Sequence, residues 1–490
     1  MSRERRRTRS ARLTASLAAA ALLAGGAGAW ALTGASAQAA TGSADAQDDF
    51  NGDGYADLVV GAPDAAVSDK ANAGYVAVMY GSADGLSPSH KKIISRDTGG
   101  VPGSATAEQY FGTTFTKGDL DKDGFSDLVI AGGKAGSVIL WGSASGLTGG
   151  TDIAGYGGAP QIGDFDGDDT VDLALFTGQY SSSDYPEGAP ATLWKGPISR
   201  AGKPAAVQNI VDKSQWWGHE EHDPSCATKS GCEDGPDSIT GPIRSGQVGD
   251  INGDGKDDIV QQSYVGDGEW GNRVLYGGSS GFTYERANGD TTGEVGTGVG
   301  DVNGDGYDDV VGGVDEAWVA WGSASGLSDE NVEYFDQDLA GFPGHQEDRD
   351  ELGASVSVED VTGDGYADIA LGIPGEDVGR TADAGSIALL HGSASGVTGA
   401  GAQVFHQDTS GVPGAAEEND RFGISTALLD VDGNGHRDLA AGSTAENGEN
   451  GATWLLRGTS TGLTATSAYA FGAKDLAAPF KDAFFGAPLG

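Results

Sequence analysis

Apolar residues in this chain come in short runs such as Leu58-Val59-Val60 and Leu128-Val129-Ile130, bounded by Gly, Asp, Asn and Ser. Runs of this length between turn residues read as β-strands. The same surroundings recur seven times. An upstream strand opens on an aromatic or Leu followed by Gly, as at Phe111-Gly112, Tyr156-Gly157, Leu352-Gly353 and Phe422-Gly423. An acidic nonapeptide follows, then a strand that often ends in Gly-x-Pro, as at Gly61-Ala62-Pro63 and Gly372-Ile373-Pro374. A third strand ends in an aromatic-Gly hairpin turn. Its clearest copies start at Tyr80, Trp141 and Trp321, further ones at Tyr276, His391 and Arg457, and a looser one at Trp194. A fourth strand is expected, for example around Lys92-Ile93-Ile94.

Four short strands per repeat describe one blade of a β-propeller. Seven repeats predict an all-β, seven-bladed propeller with acidic loops between its strands. A tandem calcium-binding β-helix would space its nonapeptides evenly and closely. Here they start at Asp49, Asp119, Asp164, Asp250, Asp301, Asp360 and Asp430, far apart and unevenly. The first nonapeptide has no strand before it, because residues 41–48 are small and polar. The missing strand is found at the far end, in Phe485-Gly486-Ala487-Pro488-Leu489-Gly490. The ring is therefore expected to close through its C-terminal strand, which removes an exposed sheet edge.

The nonapeptide reads Asp-x-Asp/Asn-x-Asp/Asn-Gly-x-x-Asp. Hard oxygen ligands at alternate positions, with Gly for a sharp turn, suit calcium. The candidate ligands at positions 1, 3, 5 and 9 are Asp49, Asn51, Asp53 and Asp57 in the first loop, and Asp119, Asp121, Asp123 and Asp127 in the second. They are Asp164, Asp166, Asp168 and Asp172 in the third, and Asp250, Asn252, Asp254 and Asp258 in the fourth. The fifth loop offers Asp301, Asn303, Asp305 and Asp309, the sixth Asp360, Thr362, Asp364 and Asp368, and the seventh Asp430, Asp432, Asn434 and Asp438. Up to seven calcium ions are expected. An EF-hand needs a bidentate Glu at position 12. Position 12 here is Val60, Ile130, Leu175, Gln261, Gly312, Leu371 or Ala441, so that motif is excluded. The closing carboxylate role falls to position 9. Plain Asp/Asn/Gly turns would give the same composition, but would not keep one register through seven copies.

Charge and processing signals narrow the setting. Arg3 to Arg12 form a basic start, Leu13 to Leu32 an Ala/Leu-rich run, and Ala35-Ser36-Ala37 and Ala37-Gln38-Ala39 offer cleavage sites. Residues 1–39 read as a secretory signal peptide and 40–490 as the propeller; an uncleaved membrane anchor is the alternative. Removal of residues 1–39 leaves 23 basic against 71 acidic residues. Nucleic acid and anionic membranes should be repelled by such a surface. In an exported chain, Cys226 and Cys232 are expected to pair as a local staple.

Together, Phe-Gly, the acidic loop and Gly-Ala-Pro resemble the FG-GAP repeats of the integrin α-subunit propeller. Thr98-Gly-Gly-Val-Pro-Gly103 and Thr409-Ser-Gly-Val-Pro-Gly414 are similar to stretches of its secreted bacterial relatives. The resemblance implies calcium on one face, ligand contacts on loops of the other, and adhesion or extracellular binding. It departs from integrin α in carrying the acidic motif in all seven blades.

The function expected is a secreted, monomeric binding or adhesion module for extracellular protein or polysaccharide, without a membrane span once processed. The alternative is a secreted hydrolase or lyase with its site in the propeller channel. Gly277-Gly-Ser279-Ser-Gly281 matches a nucleophile-elbow pattern, but it is the fourth copy of the blade hairpin turn. No catalytic residue is assigned. The longest excursion, residues 176–245, holds Trp216-Trp217, which can stack on sugars or anchor a protein.

Overall fold

The computed structural model describes residues 48–177, 187–208, 210, 238–241, 243–266, 269–286, 296–314, 316–328 and 330–490. Residues 1–39, expected to be a signal peptide, and Trp216, Trp217, Cys226 and Cys232 lie outside the described residues.

Seven antiparallel sheets follow one another along the chain. Blade 2 is typical, with strands Phe115–Gly118, Asp127–Ile130, Ser137–Trp141 and Thr148–Ile153 paired in sequence order. The innermost strands of blades 2 to 7 are Phe115–Gly118, Gln161–Gly163, Ile243–Gly249, Gly296–Gly300, Val356–Glu359 and Ser425–Leu429. Blade 1 has only three strands of its own, Leu58–Ala62, Tyr75–Met79 and Lys91–Ile94. Its inner strand comes from the other end of the chain. Val59 N–H donates to the Gly490 carbonyl at 2.7 Å, Gly61 N–H to Pro488 at 2.8 Å, and Gly490 N–H returns to Val59 at 3.1 Å. The ring closes as the sequence indicated.

The second strand of each blade is buried on both faces, which explains its unbroken apolar run. Side chains alternate between the two neighbouring blades. Leu58 and Val60 enter the core shared with blade 7, while Val59 enters the core shared with blade 2. Seven such cores lie between seven pairs of blades.

Three expectations are corrected. The aromatic-Gly pairs do not open the inner strands; Phe111-Gly112 forms a turn and the strand begins at Phe115. Phe111 is fully buried, and Gly112 takes a φ of +92°, which breaks the extended run. The excursion at 176–245 is narrower than expected, because Glu187–Lys195 and Ala206–Gln208 are the outer strands of blade 3. The strand Ser238–Gly241 pairs beside Glu187–Pro190. Finally, the hairpin of blade 3 turns at Lys195-Gly196, one residue later than the Trp194 register. Gly196 N–H makes the bond that Gly81 and Gly142 make in blades 1 and 2.

Candidate metal centres

In blades 2 to 7 each acidic loop joins the inner strand to the second strand, in blade 1 it leads into the second strand, and backbone hydrogen bonds fix its carboxylates. The carboxylate at position 1 caps the loop from within. Asp49 accepts from Gly54 N–H at 2.8 Å, and the same bond is made to Asp119, Asp164, Asp250, Asp301, Asp360 and Asp430 by the residue at position 6. In the third loop that donor is Asp169, held at φ +60°, so a non-glycine residue meets the turn's demand. The carboxamide at position 3 accepts from position 5, as Asn51 does from Asp53 N–H at 2.9 Å.

Position 9 does more than close the loop. Asp57 is fully buried; one oxygen accepts from Phe50 N–H at 2.9 Å and the other from Gly81 N–H at 2.9 Å. Asp127, Asp258, Asp309, Asp368 and Asp438 repeat both bonds. The carboxylate thus ties the start of the loop to the end of the third strand. Sequence reasoning missed the residue at position 2: Phe50, Leu120, Phe165, Ile251, Val302, Val361 and Val431 are all buried plugs. The signal was present, since that position is apolar in every copy.

The loops also join one another. Ser126 N–H donates to the Asp49 carbonyl at 3.0 Å, Asp257 N–H to Asp164 at 3.0 Å, Asp308 N–H to Asp250 at 3.1 Å, Ala367 N–H to Asp301 at 2.9 Å and Ala56 N–H to Asp430 at 3.0 Å. This chain of bonds sets the loops side by side at one end of the propeller. It also explains Gly52 at position 4 of the first loop. Gly52 has a φ of +72°, and a Cβ there would lie 2.6 Å from the Phe125 ring of the next loop.

The donor set is oxygen alone, as a hard cation requires. Ligand atoms of Asp119, Asp121 and Asp127 lie within 4.8 Å of one another, as do those of Asp164, Asp166 and Asp168 and of Asp430, Asp432 and Asp438. In the second loop Asp121 Oδ1 is buried without a hydrogen-bond partner. A buried, unpaired carboxylate oxygen is what a bound cation would satisfy. Burial, together with neighbouring carboxylates, pushes Asp57 and Asp127 up to about 8 and Asp258 and Asp309 up to about 7. Such groups resist ionising unless a cation stands beside them.

Lys256 Nζ lies 2.7 Å from Asp254 Oδ2 in the fourth loop and His391 Nδ1 3.0 Å from Asp368 Oδ1 in the sixth, and in three further loops a basic side chain pairs with position 3. Arg200 Nε lies 2.6 Å from Asp121 Oδ2, and its Nη2 2.5 Å from Asp123 Oδ2. Lys195 Nζ pairs with Asp166 and lies 3.0 Å from Asp172 Oδ2. Arg457 Nη1 pairs with Asp432 and lies 3.9 Å from Asp438 Oδ2.

Position 9 can be tested apart from any metal. Asp309→Ala should cost about 2–4 kcal/mol, because it leaves two buried amides, Val302 N–H and Gly322 N–H, without acceptors. Denaturant unfolding in excess chelator measures this; a loss seen only in calcium would contradict the double hydrogen-bond role.

At the end of the channel away from the loops is a cavity of about 630 Å³. Gln247, Thr297, Ser355, Ser425 and Thr426 line it with amides and hydroxyls, and among the described residues Asp64 is the one carboxylate in its wall.

The FG-GAP repeat family matches residues 41–79, 352–390 and 422–456. This chain carries FG-GAP repeats in these three places. In blade 6 the match runs from the Leu352-Gly353 turn to the end of the third strand and contains the whole acidic loop. The loops of blades 2 to 5 lie outside the matched segments but share the hydrogen-bond scheme of the loops in blades 1, 6 and 7. Over 105 residues the chain is 33% identical to integrin alpha-3 of Cricetulus griseus, and equally to that of Mus musculus. These alignments cover 21% of this chain and 9% of each integrin, so the chain spans under a tenth of the relatives it matches. Among solved structures, BBS1N in complex with ARL6DN aligns over 70% of this chain and 78% of its own, with 10% identity and a TM-score of 0.36. The Photorhabdus luminescens Tc holotoxin pore aligns over 78% of this chain and 17% of its own, with 14% identity and a TM-score of 0.34. Scores this low do not bear on the fold, which rests on the sheet topology. Among the described residues no helix is long and apolar enough to cross a membrane.

Proposed function

We propose that this FG-GAP propeller is a secreted, monomeric, calcium-stabilised module that binds extracellular protein or polysaccharide. The observation that carries the reading is the shared architecture of the acidic loops. Buried position-9 carboxylates and backbone-capped position-1 carboxylates recur at one end of the ring, where hard divalent cations would offset their repulsion. Asp49, Asn51, Asp53 and Asp57 would hold the ion in blade 1, and the corresponding residues in blades 4 and 5. Calcium supplies charge neutralisation and rigidity there; it takes no part in a reaction.

With the loops committed to structure, ligand contact falls to the other end of the ring, as the family resemblance implies. That end carries the polar cavity. Trp216 and Trp217 are proposed as an additional contact platform, residues 1–39 as the export signal, and Cys226–Cys232 as a disulfide. Extracellular calcium modules bind at roughly 0.1–1 mM, so a secreted setting would keep such loops filled.

Cosedimentation tests the reading. Calcium-loaded protein is mixed with polysaccharides, matrix proteins and whole cells, and supernatants are analysed by mass spectrometry. Calcium-dependent retention without released fragments is expected, and Trp216→Ala/Trp217→Ala should lose at least tenfold in affinity with an unchanged melt. Released fragments would replace this reading with a hydrolase or lyase acting in the channel.

A further inference from the structure

The seven loops are not equivalent in charge. Position 3 is uncharged in blades 1, 4, 5 and 6, as Asn51, Asn252, Asn303 and Thr362. It is Asp in blades 2, 3 and 7, and in each of those a basic side chain pairs with it: Arg200 with Asp121, Lys195 with Asp166, Arg457 with Asp432. An added carboxylate is thus always accompanied by an added protein cation.

The three pairs differ in where the cation stands. Arg200 comes from the turn of the neighbouring blade and its side chain is 43% exposed. It grips Oδ2 of Asp121 at position 3 and of Asp123 at position 5. Lys195 and Arg457 come from the loop's own blade, at the residue before the glycine that bonds position 9. Lys195 is 7% exposed, and its ammonium spans Asp166 at position 3 and Asp172 at position 9. Arg457 likewise faces Asp432 and Asp438, while its Nη2 donates to the Asp84 carbonyl of blade 1 at 2.9 Å. In blades 1, 4 and 5 the same position is Tyr80, Tyr276 or Trp321, none of which carries a positive charge. A side chain that pairs with both position 3 and position 9 stands among the same carboxylates that an ion would bridge.

We infer that in blades 3 and 7 the side chains of Lys195 and Arg457 stand in for the metal ion, so that these two loops are closed by protein cations and hold no calcium. An entering divalent ion would have to displace the buried Lys195 or the partly buried Arg457 from its paired carboxylates, which is unfavourable. The inference rests on the calcium reading given above for the remaining loops.

The test counts ions. The full-length secreted protein and its Lys195→Gln/Arg457→Gln variant are dialysed against millimolar calcium, and bound calcium per chain is measured by atomic emission. The variant should bind two more ions than the parent. An equal count, or seven ions in the parent, would overturn the inference. The melting temperature with and without chelator supplies a second readout: the gap should be wider in the variant, including a variant that folds only in calcium, and an unchanged gap would speak against the stand-in role. Zero calcium in both proteins would end the calcium reading as well, whereas equal non-zero counts would end only this inference.

Discussion

Removal of calcium should lower the melting temperature of this propeller by roughly 5–10 °C. At millimolar calcium and dissociation constants of about 0.1–1 mM, each filled loop adds about 0.4–1.4 kcal/mol by mass action. Several loops act together, because backbone bonds such as Ser126 N–H to the Asp49 carbonyl link them around the ring. The metal-free protein should also respond to pH in a definite direction. Burial raises Asp57 and Asp127 to about 8, and Asp258, Asp309 and Asp438 to about 7, from an ordinary value of 3.8. Between those limits the folded chain binds more protons than the unfolded chain, so stability falls as pH rises. The contribution is complete below about pH 4 and is lost on passing through about 7 to 8. Calorimetric melts of metal-free protein at pH 6 and pH 8.5 should therefore separate, and excess calcium should bring them together. Equal melts without metal would contradict the burial argument.

Deletion of residues 481–490 should be still more damaging. Phe485 is fully buried, with its ring centroid 6.0 Å from that of Phe471 in the core between blades 7 and 1. Loss of one buried Phe side chain alone costs about 3–5 kcal/mol. The deletion also removes Pro488–Gly490, which leaves Val59 and Gly61 on an unpaired sheet edge and Ser425 Oγ without the Gly486 carbonyl. An opened ring exposes strand edges that recruit other chains. The truncated protein should be recovered as aggregate, or melt more than 10 °C below the parent. A truncation that melts like the parent would remove ring closure from the account.

Much of this fold was legible because each blade writes the same local code. Short apolar runs, turn glycines and a fixed acidic spacing depend on neighbours a few residues apart, and the closing strand could be inferred from what blade 1 lacked. The candidate sites were legible as a set of oxygens but not as a structure. Asp57 and Gly81 meet across an intervening hairpin, and no spacing within the nonapeptide announces that position 9 spends both oxygens on backbone amides. The role of Lys195 was hidden for the same reason. Its partner Asp166 lies on another strand connection, and the blade 3 turn, Gly196-Pro197-Ile198-Ser199, lacks the Ser-Ala-Ser-Gly sequence that marked the register elsewhere. Trp194 was the more conspicuous neighbour and drew the alignment one residue early.

The central claim is that the acidic loops are calcium sites that hold the blades of a binding module. Anomalous diffraction from a crystal grown in millimolar calcium tests it most directly. The account predicts ion peaks in the loops beginning at Asp49, Asp250 and Asp301, each within about 2.3–2.6 Å of its oxygen ligands. A well-ordered propeller grown in calcium with no ion in any of these three loops would contradict it.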